Sequence, residues 1–213
     1  GRTFIKWTAP RPRKVLYIDG EMPLSMMKER MGKIVADNQS NNDCIYFINP
    51  DTQENGISNL ATTKGQQEVD VHIKDYDLII LDNLSTLLRS GKENEGESWL
   101  PIQEWALRHR SKGKSMVFIH HAGKSGQQRG TSRREDVLDT VIALKRPLDY
   151  KRSQDVRFEV HFEKARGIYG EDVEPIECKM RLDTKGNLSW THRTIEEPTH
   201  QKVINMYNCL LYT

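Results

Sequence analysis

Cysteine is scarce in this sequence: three residues in 213, Cys44, Cys178 and Cys209, far apart and without a CxxC pair. That excludes a disulfide scaffold and a cysteine-built zinc site, and it suits a reducing, cytoplasmic compartment. Long hydrophobic runs are missing as well. No stretch approaches the ~20 apolar residues of a membrane span, and Gly1-Arg2-Thr3-Phe4-Ile5-Lys6-Trp7 lacks the apolar core of a signal peptide. Charge of one sign is not in excess either, since 32 Lys and Arg stand against 30 Asp and Glu. Bulk basicity therefore advertises no nucleic-acid partner, and any such contact must come from local clusters. What is present, 36% hydrophobic and 29% charged residues in 213, is enough to build one ordinary domain, or one plus a small appendage.

Three short apolar runs end in polar residues. Val15-Leu16-Tyr17-Ile18 stops at Asp19-Gly20-Glu21, Leu78-Ile79-Ile80-Leu81 at Asp82-Asn83, and Met116-Val117-Phe118-Ile119 at His120-His121. Continuous runs of this kind fit parallel strands buried on both faces. Helical patterns lie between them over 24–36 and 99–109, the second with Trp99, Ile102, Trp105 and Ala106 at helical spacing and Pro101 in its first turn. Strand–helix alternation predicts an α/β domain with a mostly parallel central sheet. A short strand is expected at 44–48, a loop at 37–42, and a loop-rich stretch over 49–75 with a weak helix at 64–71. Later strands are expected at 138–144, 156–162 and 175–182, the middle one alternating through Val156, Phe158, Val160 and Phe162.

Ligands of open α/β sheets gather at the carboxyl ends of the strands. The three runs deliver Glu21, Asp82 and His120/His121 to that edge. Two acids and an imidazole fit metal-assisted hydrolysis of a phosphoanhydride: one carboxylate holds Mg²⁺, directly or through water, the other orients the attacking water, and the histidine senses the γ-phosphate. Each residue taken alone reads more readily as a turn or helix cap; the three in one parallel sheet favour a site. A metal hydrolase with all four side chains as direct ligands finds no HxxxH or His-x-Asp spacing here.

Val15-Leu16-Tyr17-Ile18-Asp19-Gly20-Glu21-Met22-Pro23, Leu78-Ile79-Ile80-Leu81-Asp82-Asn83, Phe118-Ile119-His120-His121-Ala122-Gly123-Lys124 and Arg129-Gly130-Thr131-Ser132, in that order, resemble RecA-like ATPases of the RepA type. These are ring-forming replicative helicases of plasmids, phages and other mobile elements. The resemblance spans roughly 12–180 and implies a RecA-like three-layer sandwich, ATP and Mg²⁺ as cofactors, a hexameric homo-oligomer, and single-stranded DNA as partner. It implies that Glu21 positions the water, that Asp82 is the aspartate of the Mg²⁺ shell with Asn83 beside it in the cofactor-binding set, and that His121, or else His120, is the sensor. Arg129 takes the place of an arginine finger reaching a neighbouring subunit, and Lys164 and Arg166 that of a basic pair at the subunit interface. Without the resemblance, Arg129 reads as an exposed loop residue and Lys164 and Arg166 as a solvated strand end.

The phosphate-cradling loop, Gly-x-x-x-x-Gly-Lys-Ser/Thr, is the departure. Gly113-Lys114-Ser115 and Gly123-Lys124-Ser125 have Arg108 and Phe118 where the first glycine belongs, so both are decoys. The expectation is a domain cut on its N-terminal side, lacking its first strand and loop, and binding ATP weakly or not at all alone. Residues 1–190 are read as this partial core and 191–213 as a tail. The last five residues, Cys209–Thr213, resemble a translated library adapter and are set aside.

Lys124, Arg133 and Arg134 lie in a basic segment suited to DNA contact in a ring channel. Lys145-Arg146 and Lys151-Arg152, around Pro147, read as an exposed turn serving solubility. Two alternatives to a helicase stay open: a RecA-like regulatory or loading ATPase without unwinding activity, and a non-enzymatic binding module whose strand-end residues only cap helices.

Overall fold

The computed structural model describes residues 3–36, 44–89, 99–121, 135–182, 184 and 188–195. The chain divides into two compact units, 1–138 with 182–188, and 139–181 with 189–213; the expected core of 1–190 covers most of both.

The first unit opens with a small antiparallel ladder, β1 (Thr3–Phe4) and β2 (Trp7–Thr8). There follow β3 (Val15–Asp19), α1 (Leu24–Ala36), β4 (Ile45–Ile48), α2 (Thr63–Ile73), β5 (Leu78–Asp82), the single turn α3 (Leu84–Leu87), α4 (Leu100–Ser111) and β6 (Ser115–Ile119). Strands β3 to β6 form one parallel sheet in the order β4-β3-β5-β6. The apolar runs fall where continuous hydrophobicity requires them. Leu16 and Ile18 of β3 and Ile79 and Leu81 of β5 are fully buried on one face. Against them pack Val69 and Ile73 of α2 and Ile102 and Trp105 of α4, joined by Leu60, Leu84 and Leu87. Met116 and Phe118 of β6 close the same layer, Phe118 meeting Trp99 edge to face at 5.3 Å between ring centroids.

The strand order determines where a ligand would go. The chain leaves β3 for β4 on one side, then returns past β3 to β5 and β6 on the other. The direction reverses between β3 and β5, and the crevice at their carboxyl ends is the position where open parallel sheets bind ligands. Asp19 and Asp82, the last residues of β3 and β5, are register partners there, and the peptide N–H of Gly20 extends the ladder by one bond to the Asp82 carbonyl, 2.6 Å.

The second unit holds β7 (Thr140–Lys145), β8 (Val156–Ala165), β9 (Ile176–Leu182) and β10 (Leu188–Thr194), in the order β10-β9-β8-β7. These later strands do not extend the parallel sheet. They make a separate sheet whose β7–β8 and β8–β9 pairs are antiparallel. The physical reason is their period-2 patterning and short connections, which leave no room for crossover helices. Apolar Ile142, Leu144, Phe158, Val160, Ile176 and Cys178 fall on one face by register, and charged Arg157, Glu159, Glu177 and Lys179 on the other. The basic turn after β7 is exposed as expected, with the Arg146 guanidinium 5.1 Å above the Tyr150 ring. No helix among the described residues is long and apolar enough to cross a membrane. The tail from 196 onward and the loop at 37–42 lie outside the described residues.

Candidate functional site

Three polar strand ends meet at the switch point. Asn83, only 1% exposed, directs its amide Nδ2 to Oε2 of Glu21 and to Nε2 of His121, the second at 3.0 Å. His121 Nε2 is itself 3.4 Å from Glu21 Oε2. Glu21 follows β3, Asn83 follows β5 and His121 follows β6, so the cluster spans three adjacent parallel strands. Glu21 and His121 both remain largely open to solvent, while the residue joining them is buried. His121 is the ring that meets Glu21; His120, one position closer to β6, is half-buried.

Asp82 belongs to the same edge but faces a different partner. Its Oδ2 accepts from the Tyr17 hydroxyl, which is two residues before Asp19 on β3. Burial first, then the bond to Asp82 and the nearby Asp19 charge, push the Tyr17 phenol well above its ordinary range, so it remains a donor. The peptide between Asp82 and Asn83 is cis.

The turn that presents Glu21 is held by residues that the motif reading passed over. Asp19 Oδ1 accepts from the peptide N–H groups of Glu21 and Met22, at 2.8 and 2.7 Å, an aspartate-turn bond pattern. From the end of β4, Asn49 donates to the Met22 carbonyl at 2.6 Å and Asp51 accepts from Leu24 N, the first residue of α1, at 2.9 Å. A signal for these supports existed in the sequence, in Asp19-Gly20-Glu21 and Asn49-Pro50-Asp51, both rich in turn formers.

Lys114, in the first Gly-Lys-Ser triplet, precedes β6 and so stands at the opposite end of the sheet. Its Nζ donates to the carbonyls of Lys74 and Tyr76, at 2.6 and 2.7 Å, closing the C-terminus of α2. The triplet is a structural clamp. The second triplet, with Lys124, and also Arg129, Arg133 and Arg134, lie outside the described residues. Lys164 and Arg166 belong to the second unit, where Arg166 is 60% exposed and pairs with Asp139 at 3.3 Å.

Residues 1–127, more than half of the chain, match the family model of the AAA domain. The chain belongs to the AAA domain family. The matched segment contains the whole parallel sheet and the Glu21–Asn83–His121 cluster. An AAA domain implies nucleotide hydrolysis, usually with Mg²⁺. Comparison with curated proteins gives no match. Asp19 is 1% exposed, and its Oδ2 has no hydrogen-bond partner, an arrangement that leaves a buried carboxylate oxygen uncompensated. With Asp82 as its register partner, this gives two hard oxygen donors at neighbouring strand ends, a set suited to Mg²⁺, which binds through one or two carboxylates and keeps several waters. Among the described residues no three His, Cys, Asp or Glu side chains are grouped to hold a metal ion between them, so the four-ligand centre has no support.

Proposed function

We propose that this AAA domain is part of an ATP-hydrolysing motor of the RepA type, a hexameric helicase that moves on single-stranded DNA during replication of a mobile element, with the three-layer RecA-like sandwich as its architecture. The observation that carries the proposal is the convergence of Glu21, Asn83 and His121 at the switch point between β3 and β5.

Hydrolysis of a phosphoanhydride asks the protein for positioning and for charge stabilisation, because the phosphoryl group moves through a loose transition state. Glu21 is the group to orient the attacking water and receive its proton: it is exposed toward the crevice, yet fixed through its turn by Asp19. Asp82 and Asp19 would hold Mg²⁺, directly or through water, and the ion would neutralise charge on the phosphates. His121 would sense the terminal phosphate and pass its state to Glu21 through the Asn83 amide that both contact. Arg129 offered from a neighbouring subunit, and the Lys164/Arg166 pair, would complete the charge stabilisation; one guanidinium of this kind contributes roughly 10³–10⁵ in rate. Lys124, Arg133 and Arg134 are the candidates for DNA contact.

The test is turnover in the full-length protein. Glu21→Gln is expected to lower kcat by about 10²–10⁴, the usual worth of a positioned general base, with nucleotide affinity retained. Single-stranded DNA should stimulate hydrolysis, and a forked duplex should be unwound. Hydrolysis indifferent to DNA would favour the regulatory or loading ATPase, and unchanged turnover in Glu21→Gln and Asp82→Asn would leave only a binding module.

A further inference from the structure

We infer that Asn83 is a positioning residue that fixes the tautomer of His121 and thereby decides whether the ring joins the amide in holding Glu21. The inference rests on the reading of Glu21 and His121 given above and deepens it. An asparagine amide can be turned end for end, but here its orientation is dictated by a third contact. Oδ1 accepts from the peptide N–H of Thr86 at 3.2 Å, capping α3, and only a carbonyl oxygen can do that. Nδ2 must then face Glu21 and His121. An amide nitrogen carries two hydrogens and accepts nothing. One hydrogen goes to Glu21 Oε2 and the other to His121 Nε2, so Nε2 must offer its lone pair and the neutral ring must carry its proton on Nδ1.

The alternative tautomer is close at hand. With the proton on Nε2, His121 could no longer accept from Asn83 and would donate to Glu21 Oε2, 3.4 Å away. The two His121 bonds exclude each other, because Nε2 cannot accept from Asn83 and donate to Glu21 at once, whereas Glu21 Oε2 has lone pairs enough for both the amide and the ring. In the first, Glu21 is held only by the buried amide and its position follows the end of β5. In the second it is tied to the exposed ring at the end of β6 as well. Any group that displaces His121, a terminal phosphate included, is thus reported to Glu21 through an amide buried at 1% exposure.

The experiment reads the tautomer and needs no turnover. The full chain is prepared with ¹⁵N-histidine, His121 is assigned by its loss in His121→Gln, and long-range ¹H–¹⁵N correlations are recorded at alkaline pH. The expected result is the Nδ1–H form for His121. In Asn83→Ser, which retains an oxygen to cap α3 but has no amide donor, the population should move several-fold toward Nε2–H. In Asn83→Asp, whose carboxylate caps equally well but only accepts, the tautomer should invert. An Nε2–H ring in the unsubstituted protein, or the same tautomer in folded Asn83→Ser and Asn83→Asp, overturns the inference. Should both variants fail to fold, the tautomer of the unsubstituted protein decides alone. In turnover, Asn83→Asp should lower kcat about 10–100-fold with KM unchanged, the scale of a misplaced catalytic group. Unaffected turnover in Glu21→Gln would instead remove the hydrolytic reading while leaving the tautomer result standing.

Discussion

Tyr17 and Asp82 are joined across neighbouring parallel strands by a hydroxyl-to-carboxylate bond of 2.5 Å. Tyr17→Phe should cost about 1–2 kcal/mol in urea unfolding, the range for a hydrogen bond to a charged group that retains some access to water. The pH dependence has a definite sign. Burial and Asp82 raise the phenol above its ordinary 10.0 in the folded chain, so folding favours the protonated form. The contribution is complete below about pH 10 and is lost as pH climbs beyond it, because the unfolded chain releases the proton first. Stability of the unsubstituted protein should therefore fall in that alkaline range, and Tyr17→Phe should flatten the fall.

Gly20 links Asp19 to Glu21 with no room for a side chain. A Cβ there would stand 2.5 Å from Thr86 Oγ1 and 2.8 Å from Leu87 Cδ2, so α3 rests directly on the turn that carries Glu21. Gly20→Ala should push α3 away and destabilise by roughly 1–3 kcal/mol, as overpacking does. Because Asn83 caps α3, the variant should also lower kcat in the full-length protein. Thermal unfolding and turnover measured together check both parts.

Between α2 and α4, Asp70 of α2 accepts from Trp105 Nε1 at 2.7 Å and is bonded to His109 Nε2 at 2.9 Å, both from α4. Trp105 and His109 are buried, so Asp70→Ala strands two polar atoms away from water. A loss of about 2–3 kcal/mol is expected in denaturant unfolding, with Asp70→Asn milder because it retains an acceptor for one of the two. Turnover should be unchanged at temperatures where the variant is folded, since this bond lies away from Glu21 and Asn83.

How much of this was legible beforehand follows from the kind of signal involved. The continuous runs at Val15, Leu78 and Met116 announced parallel strands, and helix α1 falls on the expected 24–36, because each pattern is repeated over several residues. Their polar ends pointed to Glu21, Asp82 and His121 for the same reason. The ties between them were not legible. That Tyr17 reaches Asp82, and that Asn83 holds Glu21 and His121 together, depends on register between segments 38, 62 and 65 residues apart. Residues 49–75 read as loop-rich because Asn49, Asp51 and Asn59 act through backbone contacts, and the helix expected at 64–71, observed as α2 over Thr63–Ile73, reads weakly because it has only four buried positions to give it a pattern. The later strands were visible one by one; their separation into an antiparallel sheet follows from alternation in β8, which a sheet buried on both faces does not need.

In that antiparallel sheet Glu177 of β9 is 3% exposed and carries a carboxylate among three cations. Arg157 Nη2 donates to it at 2.5 Å from β8, Arg193 reaches it at 3.1 and 3.2 Å from β10, and Lys179 Nζ is 3.5 Å away. The Arg157 hydrogen bond is the largest influence and outweighs burial, and with Arg193 it holds the Glu177 carboxyl at about 2 against an ordinary 4.5. A depressed carboxyl stabilises the fold wherever it is ionised in both states, so the contribution is complete above pH 4.5 and drains away as pH falls toward 2, where the folded chain must take up the proton as well. Asp149, also bonded to Arg157, is lowered in the same direction, but it lies open to solvent. Glu177→Gln should thus be less stable than the unsubstituted chain by roughly 3 kcal/mol at neutral pH, since it leaves the buried Arg157 with only the exposed Asp149 as charge partner. The gap should close between pH 5 and pH 2, as protonation does to the unsubstituted chain what the substitution has already done. Unfolding temperatures of the two proteins measured across that interval decide the matter: converging curves support the ion cluster as the main stay of this sheet, whereas parallel ones would assign acid sensitivity to other carboxylates.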